Sequence, residues 1–156
     1  MAEKILILGM GNTVLCDDAA GILVAREIHR QLQGALSSSV SVEEASYGGW
    51  RLVDLLAGYD RAVIIDSVIT GKYPLGECFR IEQNAKPLSR LQSSHGLGLF
   101  EAIEFAKASG QKMPDKVSVY GIEIKNNTEF GEKVCAEIES KIPIIASEII
   151  AEEKLK

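Results

Sequence analysis

Two segments of the chain, Lys4 to Leu8 and Ala62 to Ile65, carry continuous apolar runs in which polar residues do not alternate with apolar ones. A strand with one wet face alternates; a strand that is apolar throughout has to be covered on both faces, so these two are central strands of a parallel sheet with helices above and below. Between them the 3.6-residue period of Ile22, Ala25, Ile28 and Leu32 marks a helix from about Asp18 to Leu32 with one buried stripe. A strand at Val40 to Glu44 and a shorter helix near Trp50 to Ala57 complete a βαβαβ order, which implies right-handed crossovers.

After Asp66 the pattern changes. Lys72-Tyr73-Pro74-Leu75-Gly76 is turn chemistry followed at once by Glu77 to Ile81, with no room for a crossover helix, so that strand should be antiparallel and at an edge. A helix from about Leu97 to Ala108 follows, with Leu99, Ile103 and either Phe105 or Ala106 turned inward. Next comes a strand at Val117 to Ile124 whose apolar phase slips at Gly121, which predicts a bulge or a strand end there. The tail from Glu132 to Leu155 reads as helix that Pro143 either kinks or restarts. The expected fold is a three-layer α/β domain spanning residues 1–156: a mostly parallel twisted sheet of about five strands, one antiparallel edge strand, and helices on both faces.

At 156 residues and 46% hydrophobic content the chain can bury roughly 70% of its unfolded surface, so it needs neither disulfides nor a structural metal. The three cysteines, Cys16, Cys78 and Cys135, are widely spaced with no CxxC pair, which points to a reducing compartment. The net charge of -5, without any basic run, predicts no nucleic-acid partner and no anionic membrane surface. The first apolar run is too short for a signal-peptide core or a membrane span.

In open α/β sheets ligands bind beyond the carboxyl ends of the strands. There the chain places Gly9-Met10-Gly11 through Asp17-Asp18, Ser46-Tyr47-Gly48-Gly49, Asp66-Ser67 and Ser93-Ser94-His95-Gly96. A GxGxxG dinucleotide loop would need a third glycine where Val14 stands, and it would not put Asp17 and Asp18 where a pyrophosphate needs bare N–H groups. Gly9 and Gly11 read as turn formers and Asp17 as a helix cap. Asp66 ends a buried strand, where an unpaired charge is costly, so it needs a partner. His29 reads as a helix-surface residue, whereas His95 lies in a loop that can present an imidazole. Asp18, Asp66 and His95 together form an O,O,N donor set with open coordination positions, suited to Ni, Zn, Fe or Mn. A triad of Ser67 or Ser94 with His95 and Asp66 is conceivable, but no nucleophile turn accompanies it. Cys16 and Cys135 have no neighbouring base.

These same blocks resemble the hydrogenase maturation endopeptidases. The resemblance runs in collinear order through Gly9-Met10-Gly11-Asn12, Asp17-Asp18-Ala19-Ala20-Gly21, Ala45-Ser46-Tyr47-Gly48-Gly49, Asp66-Ser67-Val68, Ser94-His95-Gly96-Leu97 and Tyr120-Gly121-Ile122-Glu123. It implies a cytoplasmic hydrolase that removes a C-terminal extension from the nickel-loaded large-subunit precursor of [NiFe] hydrogenase. Asp18, Asp66 and His95 would be both its metal ligands and its catalytic residues. Nickel would arrive with the precursor, and Zn or Cd could occupy the site in vitro. Some members carry Glu at the position of Asp18, and the loop that often holds an acid before its glycines is here Tyr47-Gly48-Gly49. A monomer is the favoured state. Two other functions fit the sequence: a non-enzymatic nickel-binding or delivery protein using the same ligands, and a Rossmann-like nucleotide module.

Overall fold

The computed structural model describes residues 2–33, 38–47, 50–82, 99–125, 130–131 and 133–155. Its sheet is built from β1 (Ile5–Met10), β2 (Val40–Ala45), β3 (Arg61–Val68), β4 (Cys78–Arg80) and β5 (Lys116–Glu123), in the order β2-β1-β3-β5-β4. β2, β1, β3 and β5 are mutually parallel, and β4 runs antiparallel to β5 at one edge. The helices are α1 (Ala20–Gln31), entered through a 3-10 turn at Cys16–Ala19, α2 (Trp50–Leu56), α3 (Leu99–Ala108), the short α4 (Ala136–Glu139) and α5 (Ile142–Glu152).

Each central strand feeds two cores, as its unbroken apolar sequence requires. Ile5, Ile7, Val63, Ile65 and Ile122 face α1 and α5, where they meet Val24, Ile28, Ile145 and Ile149. Leu6, Leu8, Met10, Ala62 and Ile64 face the other way, against Leu52 and Leu56 of α2 and Leu99 and Ile103 of α3. The predicted stripe of α1 is buried at all four positions. On α3 the choice between two inward residues is resolved: Ala106 is 3% exposed and Phe105 61%. Pro143 stands in the first turn of α5, so it restarts the helix rather than kinking it, as its missing N–H permits.

Two expectations are corrected. No bulge or strand end occurs at Gly121: the ladder between β3 and β5 runs unbroken from Arg61 opposite Lys116 to Val68 opposite Glu123. The glycine instead makes room, since a Cβ there would lie 3.1 Å from both Val68 Cγ2 and Ile81 Cδ1. Asp17 does not cap α1, whose first turn has no side-chain cap at all. Its Oδ1 accepts the backbone N–H of Cys135 at 2.7 Å and so ties the start of α4 to the loop after β1.

The C-terminal helix is pinned from its far end. Buried Glu153 accepts the Tyr120 hydroxyl at 2.7 Å on Oε1, and its carbonyl accepts Arg61 Nη2 at 2.5 Å. Burial and the neighbouring carboxylate push the Tyr120 phenol upward, so it stays a donor.

The site end of the sheet is shaped by a fork. β1 and β3 pair only as far as Gly9 opposite Ile65. Beyond that point β1 leans toward β2, with Met10 opposite Ala45 and the Gly11 N–H donating to the Ala45 carbonyl at 3.0 Å. The chain order also reverses here, because the connection through α1 leads to one side of β1 and the connection through α2 leads back to the other. That is the topological switch point at which such sheets bind ligands. α1 begins directly over the fork: a Cβ on Gly21 would overlap the carbonyl oxygens of both Ile65 and Met10. Gly21→Ala should therefore cost about 2–3 kcal/mol despite the better helix propensity of alanine, read as a lowered urea midpoint with unchanged slope. An unchanged midpoint would show that α1 is not seated this closely.

Candidate active site

Asp18 and Asp66 reach the fork from different elements. Asp18 stands in the 3-10 turn ahead of α1, and its N–H donates to the Leu15 carbonyl at 2.8 Å. Before it, Cys16 adopts a left-handed backbone (φ 39°), held by its N–H to the Gly131 carbonyl at 3.0 Å. Gly11 lets the turn fold back on the loop leaving β1, since a Cβ there would overlap the Asp18 carbonyl oxygen. Asp66 belongs to β3 itself, one residue past the last pairing with β1 and opposite Gly121 of β5.

One residue joins them. The Ser67 hydroxyl donates to Asp18 Oδ1 at 2.7 Å, and the Ser67 backbone N–H donates to Asp66 Oδ1 at 2.8 Å. Two carboxylates 48 positions apart in sequence thus lie within reach of a single serine. Both are withdrawn from water, with Asp18 1% and Asp66 0% exposed. Burial pushes the Asp66 carboxyl up to about 7, and the N–H of Ser67 works against that rise. Two buried carboxylates that each accept from Ser67 offer hard oxygen donors suited to a divalent cation, which would hold both in the ionised form.

His95 lies outside the described residues. Among the described residues no three His, Cys, Asp or Glu side chains gather as a metal site; Asp18 and Asp66 each accept a hydrogen bond from Ser67, and the third expected ligand falls on a segment not described. The helix that follows His95 in sequence, α3, covers the face to which strand alternation assigns Asp66. His29 is exposed on α1, as expected. Cys78 is no nucleophile: burial, with Glu148 and Glu152 adding to it, pushes its thiol up to about 12. A nucleotide is equally poorly served, because the entrance to α1 carries a buried carboxylate where phosphate needs open N–H groups.

Two further residues have roles that residue order does not announce. Ser67 follows the buried Asp66 on β3 and is itself buried, where its hydroxyl needs a hydrogen-bond partner; that need is the only signal its sequence position carries. Glu123, also buried, accepts the Thr70 N–H at 2.8 Å and the Thr70 hydroxyl, while its carbonyl takes the Gly76 N–H at 2.8 Å. It thereby straps the loop after β3 to the end of β5.

The raised Asp66 carboxyl makes stability depend on pH. In the unfolded chain the group ionises near 3.8, but in the folded protein it keeps its proton to about 7. Between those values the folded state binds the extra proton, so stability falls as pH rises through this window and levels off above it. Asp66→Asn removes the dependence and should stabilise the metal-free protein at pH 8 by about 2–4 kcal/mol. Chemical denaturation at pH 4.5 and pH 8 tests this. A variant less stable than the parent at pH 8 would mean that the carboxylate is a structural asset.

Comparison with known proteins places the chain in a family. A family model described as hydrogenase maturation protease (HycI) matches residues 22–152, a span that includes Asp66 and His95 and begins after Asp18. The hydrogenase expression/formation protein HupD of Rhizobium leguminosarum bv. viciae is 25% identical over 145 residues, 91% of this chain and 70% of that protein. The hydrogenase 2 maturation protease of Escherichia coli K12 is 25% identical over 121 residues, 76% of this chain and 72% of that protein. In three dimensions the chain superposes on the hydrogenase maturating endopeptidase HybD from E. coli with a TM-score of 0.74 at 22% identity, covering 97% of this chain and 92% of the other. No described helix is long and apolar enough to cross a membrane. The family match extends over most of the chain, and the chain belongs to the hydrogenase maturation protease family.

Proposed function

We propose that this protein is the endopeptidase that trims the C-terminal extension from a nickel-loaded [NiFe] hydrogenase large-subunit precursor, and that it recognises the precursor through the nickel the precursor carries. The observation that supports this most directly is the pair of buried carboxylates, Asp18 and Asp66, each accepting a hydrogen bond from Ser67 at the fork. Asp18, Asp66 and His95 are the proposed catalytic and metal-contacting set. In this reading nickel is part of the substrate: the precursor supplies some of its ligands, and the three side chains here supply the rest.

Such a bridge would place the scissile bond against the acid pair and convert an encounter of two proteins into a fixed geometry. A carboxylate beside a cation ionises, so docking releases the proton that Asp66 otherwise retains near neutrality. Peptide hydrolysis then needs a water whose proton is accepted as its oxygen bonds to the scissile carbon. One of the two carboxylates accepts that proton, and the departing amine receives it as the C–N bond breaks. A precursor without nickel lacks the bridge and leaves the crevice unengaged.

Processing is tested by incubating purified protein with nickel-loaded and nickel-free precursor and following the precursor mass. The loaded form should lose its extension, and the nickel-free form should react at least about a hundredfold more slowly. Asp18→Asn, Asp66→Asn and His95→Ala should each lower the rate by at least that factor while remaining folded, whereas the exposed His29→Ala should match the parent. Equal rates on the two precursor forms would refute recognition through the metal. Stoichiometric nickel binding without any mass change would instead identify a delivery protein.

A further inference from the structure

The two carboxylates hang from elements with no covalent or ladder connection near the site. Asp66 is fixed by the pairing of β3 with β5, while Asp18 rides on a short turn whose backbone is set by Gly11, Leu15 and Gly131. An aspartate has two rotatable side-chain bonds, and swinging them carries its oxygens through several ångströms. A metal-contacting or proton-transferring pair, in contrast, must hold its geometry to about 0.5 Å. Something has to register Asp18 against Asp66.

We propose that Ser67 is that positioning residue: its side-chain hydroxyl locks Asp18 into the frame of the strand that carries Asp66, and processing depends on this lock. The inference rests on the proposed role of the acid pair. Ser67 suits the task because one residue makes both contacts, the N–H to Asp66 Oδ1 at 2.8 Å and the hydroxyl to Asp18 Oδ1 at 2.7 Å. Its side chain is short and almost fully buried, so the hydroxyl has little freedom to leave. A hydroxyl donating to a carboxylate makes a short, strong bond, so the link opposes turning of the Asp18 side chain. Burial and the bond to a carboxylate from a different element argue against a nucleophile: an attacking oxygen has to be presented to the scissile carbon, and this one is directed at Asp18.

Substitution separates the two contacts, because Ser67→Ala removes the hydroxyl but keeps the N–H to Asp66. Ser67→Ala should lose about 10–100-fold in kcat/KM on the nickel-loaded precursor, the range expected when a residue orienting a metal-contacting group is removed. Ser67→Thr, which retains the hydroxyl, should recover to within about threefold of the parent, a rescue that mere filling of space does not predict. In a crystal structure of Ser67→Ala the Asp18 carboxylate should be turned away from its parental position. The proposal is overturned if Ser67→Ala processes at the parental kcat/KM, if Ser67→Thr is no better than Ser67→Ala, or if the loss exceeds about 10⁴-fold, as removal of a nucleophile would give. Failure of the acid-pair reading looks different: Asp18→Asn and Asp66→Asn would then process at the parental rate whatever stands at position 67.

Discussion

The first helix can settle onto the sheet at the level of Met10 and Ile65 only because nothing larger than hydrogen projects from residue 21. Both carbonyl oxygens at the fork lie where a Cβ would go, so the entrance of α1 rests on the backbone of β1 and β3 rather than on side chains. Gly11 repeats the device one turn earlier, letting the Asp18 carbonyl press on the loop. These contacts lower Asp18 into a crevice between strands that have just parted, where Ser67 can reach it. With larger residues at these two positions the helix would stand off, and the carboxylate would lie above the site instead of within it.

That geometry works against stability. A carboxylate withdrawn from water and pushed up to about 7 is held at the expense of the folded state whenever it is ionised. Such a cost is familiar at functional sites, where groups are kept in environments that suit a ligand or a transition state rather than the empty protein. The remainder of the fold is built more conservatively. Its two apolar cores are continuous on both faces of the sheet, and β3, the strand that carries Asp66, begins at Arg61, which grips the end of the C-terminal helix through Glu153. One strand therefore anchors the molecule at its amino end and carries the buried Asp66 at its carboxyl end.

Much of this was legible from residue order because the information is local. The apolar runs at Lys4 to Leu8 and Ala62 to Ile65 declare strands covered on both faces, and the stripe from Ile22 to Leu32 declares α1. The turn at Lys72 to Gly76 announces an antiparallel return, and β4 is that edge strand. Asp18 and Asp66 could be singled out because polar residues at strand ends converge in any sheet of this kind. What sequence did not disclose depends on partners far along the chain. The bond from Asp17 to Cys135 crosses 118 positions, and nothing near Asp17 distinguishes it from an ordinary helix cap. Gly121 looked like an interruption, since period counting registers the missing side chain but not the Val68 and Ile81 methyl groups that fill its place. Ser67 reads as one more small polar residue until Asp18 is folded against it.

A recognition scheme in which the substrate brings the metal places a definite energetic demand on this crevice. Discrimination between loaded and empty precursor is the difference in their interaction free energies, tenfold for every 1.4 kcal/mol or so. A thousandfold preference thus asks about 4 kcal/mol of the bonds from the cation to these side chains. Exposed carboxylates would supply less, because water competes for the cation and screens the charge. Buried carboxylates gain more from it, and the desolvation that makes Asp66 reluctant to ionise in the empty protein is relieved when a positive charge arrives. Under the proposed recognition, the same burial that costs folding stability would sharpen the distinction between a precursor that carries its metal and one that does not.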